Sequence, residues 1–400
     1  MKHMSIAVAL VLLLALAGCG GVPSPVVQST PAPTEAPTEA PAAETSMAEN
    51  EGAAGSTFGE AWESVDCESI DVAPTVAAVA DCGLVTVPAN RANGSDQLIQ
   101  LAVVRINSPS EAPGAPVFLG TGGPGGYGFL RVQKALDSLN WPATHAALLA
   151  NHDWVYFTQR GTKGANPELK CPAVDSVSLD TALEGWDEDQ SIETFTQTLQ
   201  ECYDTLTEQG INLDGYNSVE NAEDVNDIRQ ALGYDQIIYY GQSYGTQLGQ
   251  FVMRQHPEIL QAVILDGVVP VEFSTYAQTQ NMGEAFQRVF AACEADDDCS
   301  ANYPDLENTL AQVYDALQAN PATIETVSEG VTQTLYIDGL AVMSGLATEL
   351  YGGGANVPHL IYALKDGDLA ALKQMAPSDS PLSPHARMMN YAVNCSDDPN

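Results

Sequence analysis

The residues best placed to do chemistry lie in the stretch Gly-Gln-Ser-Tyr-Gly, residues 241–245. A serine hydroxyl is a weak nucleophile until it is held at a fixed place beside a proton acceptor and an electrophilic carbonyl. The spacing Gly241-x-Ser243-x-Gly245 supplies the place. The run Ile237, Ile238, Tyr239, Tyr240 is β-branched and aromatic and reads as a buried strand. Residues 246–256 carry Leu248, Phe251 and Val252 at helical spacing, and Pro257 stops that helix. A strand that turns this sharply into a helix needs small residues on either side of the turn. The turn lifts Ser243 to the top of the sheet at a helix start. A second stretch complements it. "LGTGGPGGYG", residues 119–128, contains Gly-x-Gly-x-x-Gly at Gly120, Gly122 and Gly125. A dinucleotide site would need a helix opening directly from the loop and a ribose-binding acid about twenty residues on. Pro124 breaks the loop instead. Acyl transfer explains both stretches together: the tetrahedral oxyanion needs two backbone N–H donors, and Tyr244 and Gly123 stand where those donors belong.

The elements that would position these residues follow a recognisable order. Strands are expected at 84–89, 98–106, 115–120, 154–159, 236–241 and 261–268, and helices at 222–233, with Gly233 as its stop, and 246–256. An early hairpin followed by strands alternating with helices is the order of an α/β sheet.

The N-terminus reads as a targeting segment. Lys2 and His3 precede an apolar run from Ile6 to Ala17 that is short for a bilayer span. Leu16-Ala17-Gly18-Cys19 resembles the bacterial lipobox, in which the cysteine is lipidated. The expectation is a signal peptide over 1–18 and a lipid anchor at Cys19, holding the protein at the cell envelope and facing away from the cytoplasm. Residues 19–57, with the repeat "APTEAPTEAP", cannot bury apolar surface and read as a disordered tether. A core over 58–270 and an insertion over 271–400 follow.

The chain has 52 acidic residues against 14 basic, a formal net charge of −38, which argues against nucleic acid as a partner. Eight cysteines suit an exported protein. Proximity along the chain pairs Cys67 with Cys82, Cys171 with Cys202 and Cys293 with Cys299, and leaves Cys395 over. No Cys-x-x-Cys and no paired histidines at ligand spacing occur, so neither zinc nor another cofactor is expected.

Six segments together carry a family resemblance: "GTGGPGG", "FTQRGTKGANP", "LKCP", "AEDVNDIRQALG", "YYGQSYGTQLGQFVMRQHPE" and "VILDGVVP". They look like the proline iminopeptidase-like serine hydrolases, and within them the secreted tripeptidyl aminopeptidase-like branch of the α/β-hydrolases. The resemblance runs from Cys82 to Pro270 and, more loosely, to Cys395. It implies an α/β-hydrolase core, a mostly parallel sheet with helices on both faces, and a helical cap. It also implies a serine exopeptidase that cleaves peptides from the free N-terminus through an acyl-enzyme on Ser243. Two positions depart from the family pattern. Thr121 stands where His or Asn opens the glycine loop, and Thr158 stands where Asp precedes Gln-Arg-Gly, while Arg160 is kept.

The family order of Ser, Asp, His places the last two after late core strands. Residues 271–400 read as the helical cap, with no later strand-Asp or Gly-His segment. The triad Asp and His are therefore expected beyond residue 400, with Asp266 and His385 as the low-ranking candidates inside the chain. Two other readings stand beside the peptidase: an esterase-type acyl hydrolase on the same fold, and a non-catalytic peptide-binding surface lipoprotein.

Overall fold

The computed structural model describes residues 61–92, 96–129, 150–328, 331–376 and 386–398. The expected signal peptide, the tether, Cys19 and His385 lie outside the described residues. The sheet opens as an antiparallel meander of β1 (Trp62–Ser64), β2 (Ala80–Pro88) and β3 (Leu98–Ile106). It continues through β4 (Gly114–Gly120), β5 (His152–Phe157), β6 (Ile237–Gln242) and β7 (Leu260–Asp266), in the spatial order β1-β2-β3-β5-β4-β6-β7. β3 joins β5 antiparallel, and β5, β4, β6 and β7 are parallel. Strands covered on both faces read as unbroken apolar runs, and "LAVVRI" of β3 and "PVFLG" of β4 are buried at every position.

β4 is the pivot of the sheet. Its successor β5 lies on one side and β6 on the other, so the connections diverge at the carboxyl ends of β4 and β6, where open α/β sheets bind ligands. Gly120 at the end of β4 pairs with Gly241 at the end of β6. The glycine-rich loop and the Gly241–Gly245 turn therefore leave the sheet side by side.

The helices of this body include α1 (Pro172–Glu184), α2 (Glu188–Glu208), α3 (Ser218–Ala231) and α4 (Tyr244–Gln255). α2 starts where Asp187 accepts from the Gln190 N–H, and it buries Phe195, Leu199, Cys202 and Leu206 along one face. α3 starts where the Asn217 side chain accepts from the Glu220 N–H. The disulfide Cys171–Cys202 ties the head of α1 to α2, and Cys67–Cys82 ties the segment after β1 to β2.

Residues 275–376 form a second apolar core. It is built from α5 (Thr275–Glu294), α6 (Asp297–Asn302), α7 (Leu306–Ala319), the hairpin β8 (Ala322–Ser328) and β9 (Val331–Ile337), α8 (Gly339–Tyr351), α9 (Val357–Lys365) and α10 (Leu369–Gln374). Cys293–Cys299 closes the turn between α5 and α6, so all three expected disulfides are present. The hairpin was not expected from the sequence, and Cys395 is not free as its spacing suggested. One boundary also needs correction. α11 (Ala386–Asp397) lies inside the range read as cap, but it buries Met388, Met389 and Val393 in the core of the main sheet. Its apolar face complements α2, where Phe195 meets Tyr391 edge to face at 5.7 Å.

Candidate active site

Ser243 sits at φ 55° and ψ −123°, a backbone conformation that a residue with a Cβ rarely adopts. Three contacts hold it there. Its N–H donates to the Asp266 carbonyl at 3.0 Å, which pins the turn to the end of β7. Its carbonyl accepts from the Thr246 N–H at 2.8 Å and from the Thr246 hydroxyl at 2.6 Å. The two flanking glycines are required by close approach. A Cβ on Gly245 would fall on the Gly120 carbonyl oxygen, and one on Gly241 on the Gly245 carbonyl oxygen. Tyr239, fully buried behind the turn, donates its hydroxyl to the Gly245 carbonyl at 3.0 Å.

The glycine-rich loop faces this turn. A Cβ on Gly122 would stand 3.3 Å from the Ser243 hydroxyl oxygen, so the loop backbone lies directly against the serine. Two of the loop's N–H groups are already engaged: Gly126 donates to the Gly122 carbonyl at 3.0 Å, and Gly125 to the Gln159 side-chain oxygen at 3.2 Å. Gln159 also donates to the Thr121 carbonyl at 2.9 Å, clamping both limbs of the loop from within. Gly123, at φ 127°, has a backbone that only glycine takes readily, and its N–H has no acceptor among the described residues. Tyr244 is the first residue of α4, and the N–H groups of a first helical turn have no intrahelical partner. Gly123 and Tyr244, the two expected oxyanion donors, are thus among the N–H groups of the loop and turn that meet no acceptor among the described residues. The departures from the family pattern are structurally absorbed. Thr158 exchanges hydrogen bonds with the backbone of Ala102, and the Thr121 hydroxyl reaches the Gly126 carbonyl at 3.3 Å.

Asp266 lies beside the turn through its backbone, but its carboxylate is engaged by side chains of β6. The Asp266 carboxylate is exposed on the edge strand and accepts from the Tyr240 hydroxyl at 2.7 Å and the Gln242 amide at 3.3 Å. Among the described residues no histidine contacts Ser243. His152 begins β5, at the opposite end of the sheet, with its ring on the Ala115 carbonyl. His256 lies against Glu223 beyond the far end of α4, about 20 Å along the helix from Ser243. His359, exposed on α9, meets Tyr303 edge to face at 6.3 Å. Among the described residues no group of three His, Cys, Asp or Glu is placed to hold a metal ion.

Behind the site lies a buried charge cluster. Arg160 is fully buried and donates twice to Asp224, at 2.7 and 2.8 Å, and to the carbonyls of Ala89, Gly215 and Pro88. Arg91 reaches Glu220, Asp224 and Asp227 on the same helix, α3. At the head of α3, the Ser218 hydroxyl shares a 2.7 Å hydrogen bond with the Tyr244 hydroxyl, and the Ser218 N–H donates to Asp397 at 3.2 Å. Burial pushes the Tyr244 hydroxyl well up, with the nearby Asp397 carboxylate adding to it. Burial likewise raises the Asp397 carboxyl. Sequence reading missed Gln159, Ser218 and Asp397. Only Gln159 had a signal, as the residue before Arg160 in a family motif.

Residues 189–316 match the family described as alpha/beta hydrolase fold. Serine protease Hip1 of Mycobacterium tuberculosis is 28% identical over 255 residues, which cover 60% of this chain and 47% of that protein. Tripeptidyl aminopeptidase of Streptomyces coelicolor is 31% identical over 201 residues, 47% of this chain and 35% of that protein. The chain thus spans about half the length of the curated relatives it matches, or less. A proline iminopeptidase-related protein of Thermus thermophilus, known as a crystal structure, overlaps with a TM-score of 0.27 at 18% identity, covering 46% of this chain and 43% of that one. Sheet order, the turn at Ser243 and the family match agree: the chain has the α/β-hydrolase fold.

Proposed function

We propose that this protein is a serine peptidase that cleaves peptides from the free N-terminus. The observation that carries the reading is Ser243, held at φ 55° against the glycine-rich loop, with the Tyr244 and Gly123 N–H groups meeting no acceptor among the described residues. Strain retained at a polar residue marks a functional position, and paired donors beside a serine suit acyl transfer. The Hip1 and tripeptidyl aminopeptidase relatives favour a peptide substrate over a simple ester.

In the proposed reaction the Ser243 hydroxyl oxygen attacks the scissile carbonyl carbon while a general base takes its proton. The oxyanion is held by the Gly123 and Tyr244 N–H groups. The C–N bond then breaks, the base returns the proton to the departing amine, and water attacks the acyl-serine by the same route. The base and its orienting acid come from outside the described residues. A fluorophosphonate probe should label the protein at Ser243, and Ser243→Ala should abolish labelling. Aminoacyl- or tripeptidyl-anilides with free amines should be cleaved in preference to N-acetylated ones. Absence of labelling would remove the hydrolase reading, and preference for short acyl esters would replace peptidase by esterase.

The same reading includes an anchor. Leu16-Ala17-Gly18-Cys19 would place a lipid at Cys19, with two or three chains, since one alone binds a bilayer weakly. Cys19→Ala should move the protein from the membrane fraction to the soluble one and remove fatty-acid labelling. Unchanged fractionation would rule the anchor out.

A further inference from the structure

α11 presents a polar stripe on the side not buried in the sheet core. Asn390, Asn394 and Asp397 fall four and three residues apart, so they share one helical face. The ends of the stripe reach two separate pieces of the site. The Asn390 side-chain amide donates to the Pro124 carbonyl at 3.1 Å, across 266 residues of sequence, within the glycine-rich loop. Asn394 donates to the Asn390 side-chain oxygen at 2.9 Å, which orients the Asn390 amide toward Pro124. At the other end Asp397 accepts from the Ser218 N–H, and Ser218 holds the Tyr244 hydroxyl. Tyr244 is 3% exposed, its hydroxyl also meets the Asn221 side chain on α3, and its own N–H is one of the two proposed oxyanion donors.

From this continuity we propose that α11 is a brace for the oxyanion hole, with Asn390 and Asp397 as positioning residues that fix the spacing between the Gly123 and Tyr244 N–H groups. The proposal rests on the serine hydrolase reading for its functional meaning, but the brace itself is a physical claim about the loop. A bland reading is available for each end taken singly. Asp397 could be only a cap on the orphan N–H at the head of α3, and Asn390 only a surface hydrogen bond. Neither reading explains why one rigid helix, seated in the core by Met388, Met389 and Val393, touches both halves of the site through one run of side chains. Misplacing a donor by about 1 Å is enough to cost on the order of a hundredfold in rate.

The test uses the full chain and three variants, Asn390→Ala, Asp397→Ala and Asp397→Asn. Hydrogen–deuterium exchange is followed in peptides covering 121–128 and 244–250, beside the rate of fluorophosphonate labelling at Ser243 and the kcat and KM for a peptide anilide. Asn390→Ala should raise exchange in 121–128 and slow labelling by about tenfold to a hundredfold, through kcat with KM unchanged. Asp397→Ala should do the same through 244–250. Asp397→Asn keeps the accepting oxygen and should restore the parental rate, which a loss of general stability would not predict. Parental exchange and labelling in Asn390→Ala would overturn the brace, as would failure of Asp397→Asn to rescue. If Asp397→Ala does not fold, Asn390→Ala decides. If the parent is not labelled at Ser243, the hydrolase reading falls and exchange alone decides the brace. If the parent is labelled and Asn390→Ala matches it in both readouts, the brace falls and the hydrolase reading stands.

Discussion

At Ser243 the fold holds a conformation that costs a residue with a side chain about 1–3 kcal/mol, and it does so by short-range means: two glycines, one threonine and the end of β7. Arg160 works over a longer range. Its fully buried guanidinium binds Asp224 in α3 and three carbonyls from the β2 exit and the turn before α3. Arg160→Leu should therefore lower the unfolding free energy by about 3–5 kcal/mol, because it strands a buried carboxylate. Arg160→Lys should recover little, since three donors on one ammonium cannot span contacts that a planar fork of five spans. Chemical denaturation measures both, and a loss below about 1 kcal/mol in Arg160→Leu would show that Arg91 alone holds Asp224. The serine and its glycines were legible in the sequence because their chemistry is local, five residues in a row. Gln159, Ser218 and Asp397 were not, because each acts on a partner 34, 26 and 179 residues away, and type alone gives no hint of that partner.

At the scale of elements, β2 to β7 could be read to within a few residues from their apolar runs, whereas β1, only three residues long, was not expected. The end of β5 was read two residues too long. Thr158 and Gln159 follow directly on the apolar-aromatic run, but they are polar and their side chains serve Ala102 and the glycine loop. The β8–β9 hairpin escaped because only one face is buried: Ile324, Leu335 and Ile337 point inward while Thr323, Glu325 and Tyr336 are exposed. Its register, Ala322 opposite Ile337, was there to be found in a period of two on either side of Ser-Glu-Gly. α11 was assigned to the cap because its neighbours in sequence belong there. Only its Met388-Met389 and Val393 face, matched to α2, reveals the body it joins.

Taken whole, the molecule carries a net charge of −38, and several carboxyls are held above their ordinary range by burial: Asp227, Asp338, Asp397 and, with neighbouring carboxylates adding to it, Glu188. A carboxyl raised in the folded state keeps its proton to higher pH than in the unfolded chain. Its contribution to stability is present at low pH and is lost as pH rises through the window from about 4 upward. Repulsion among exposed carboxylates acts in the same direction and is screened by salt. The melting temperature should therefore be higher at about pH 4.5 than at about pH 7, with added salt narrowing the difference. A lower melting temperature at about pH 4.5 would mean that paired carboxylates such as those on Arg91 dominate instead.

The strand order has a geometric corollary. β1, where the described chain begins, lies on the outer edge of the sheet, and β6, which delivers Ser243, lies five strands across, about 24 Å away at ordinary strand spacing. Cys67–Cys82 rivets that outer edge to its neighbour, so a pull on the chain before residue 61 is borne by the far side of the sheet. A body moored by that end would swing with its reactive flank outboard, clear of whatever surface holds the mooring, and peptides diffusing past could reach it without first threading between the protein and that surface.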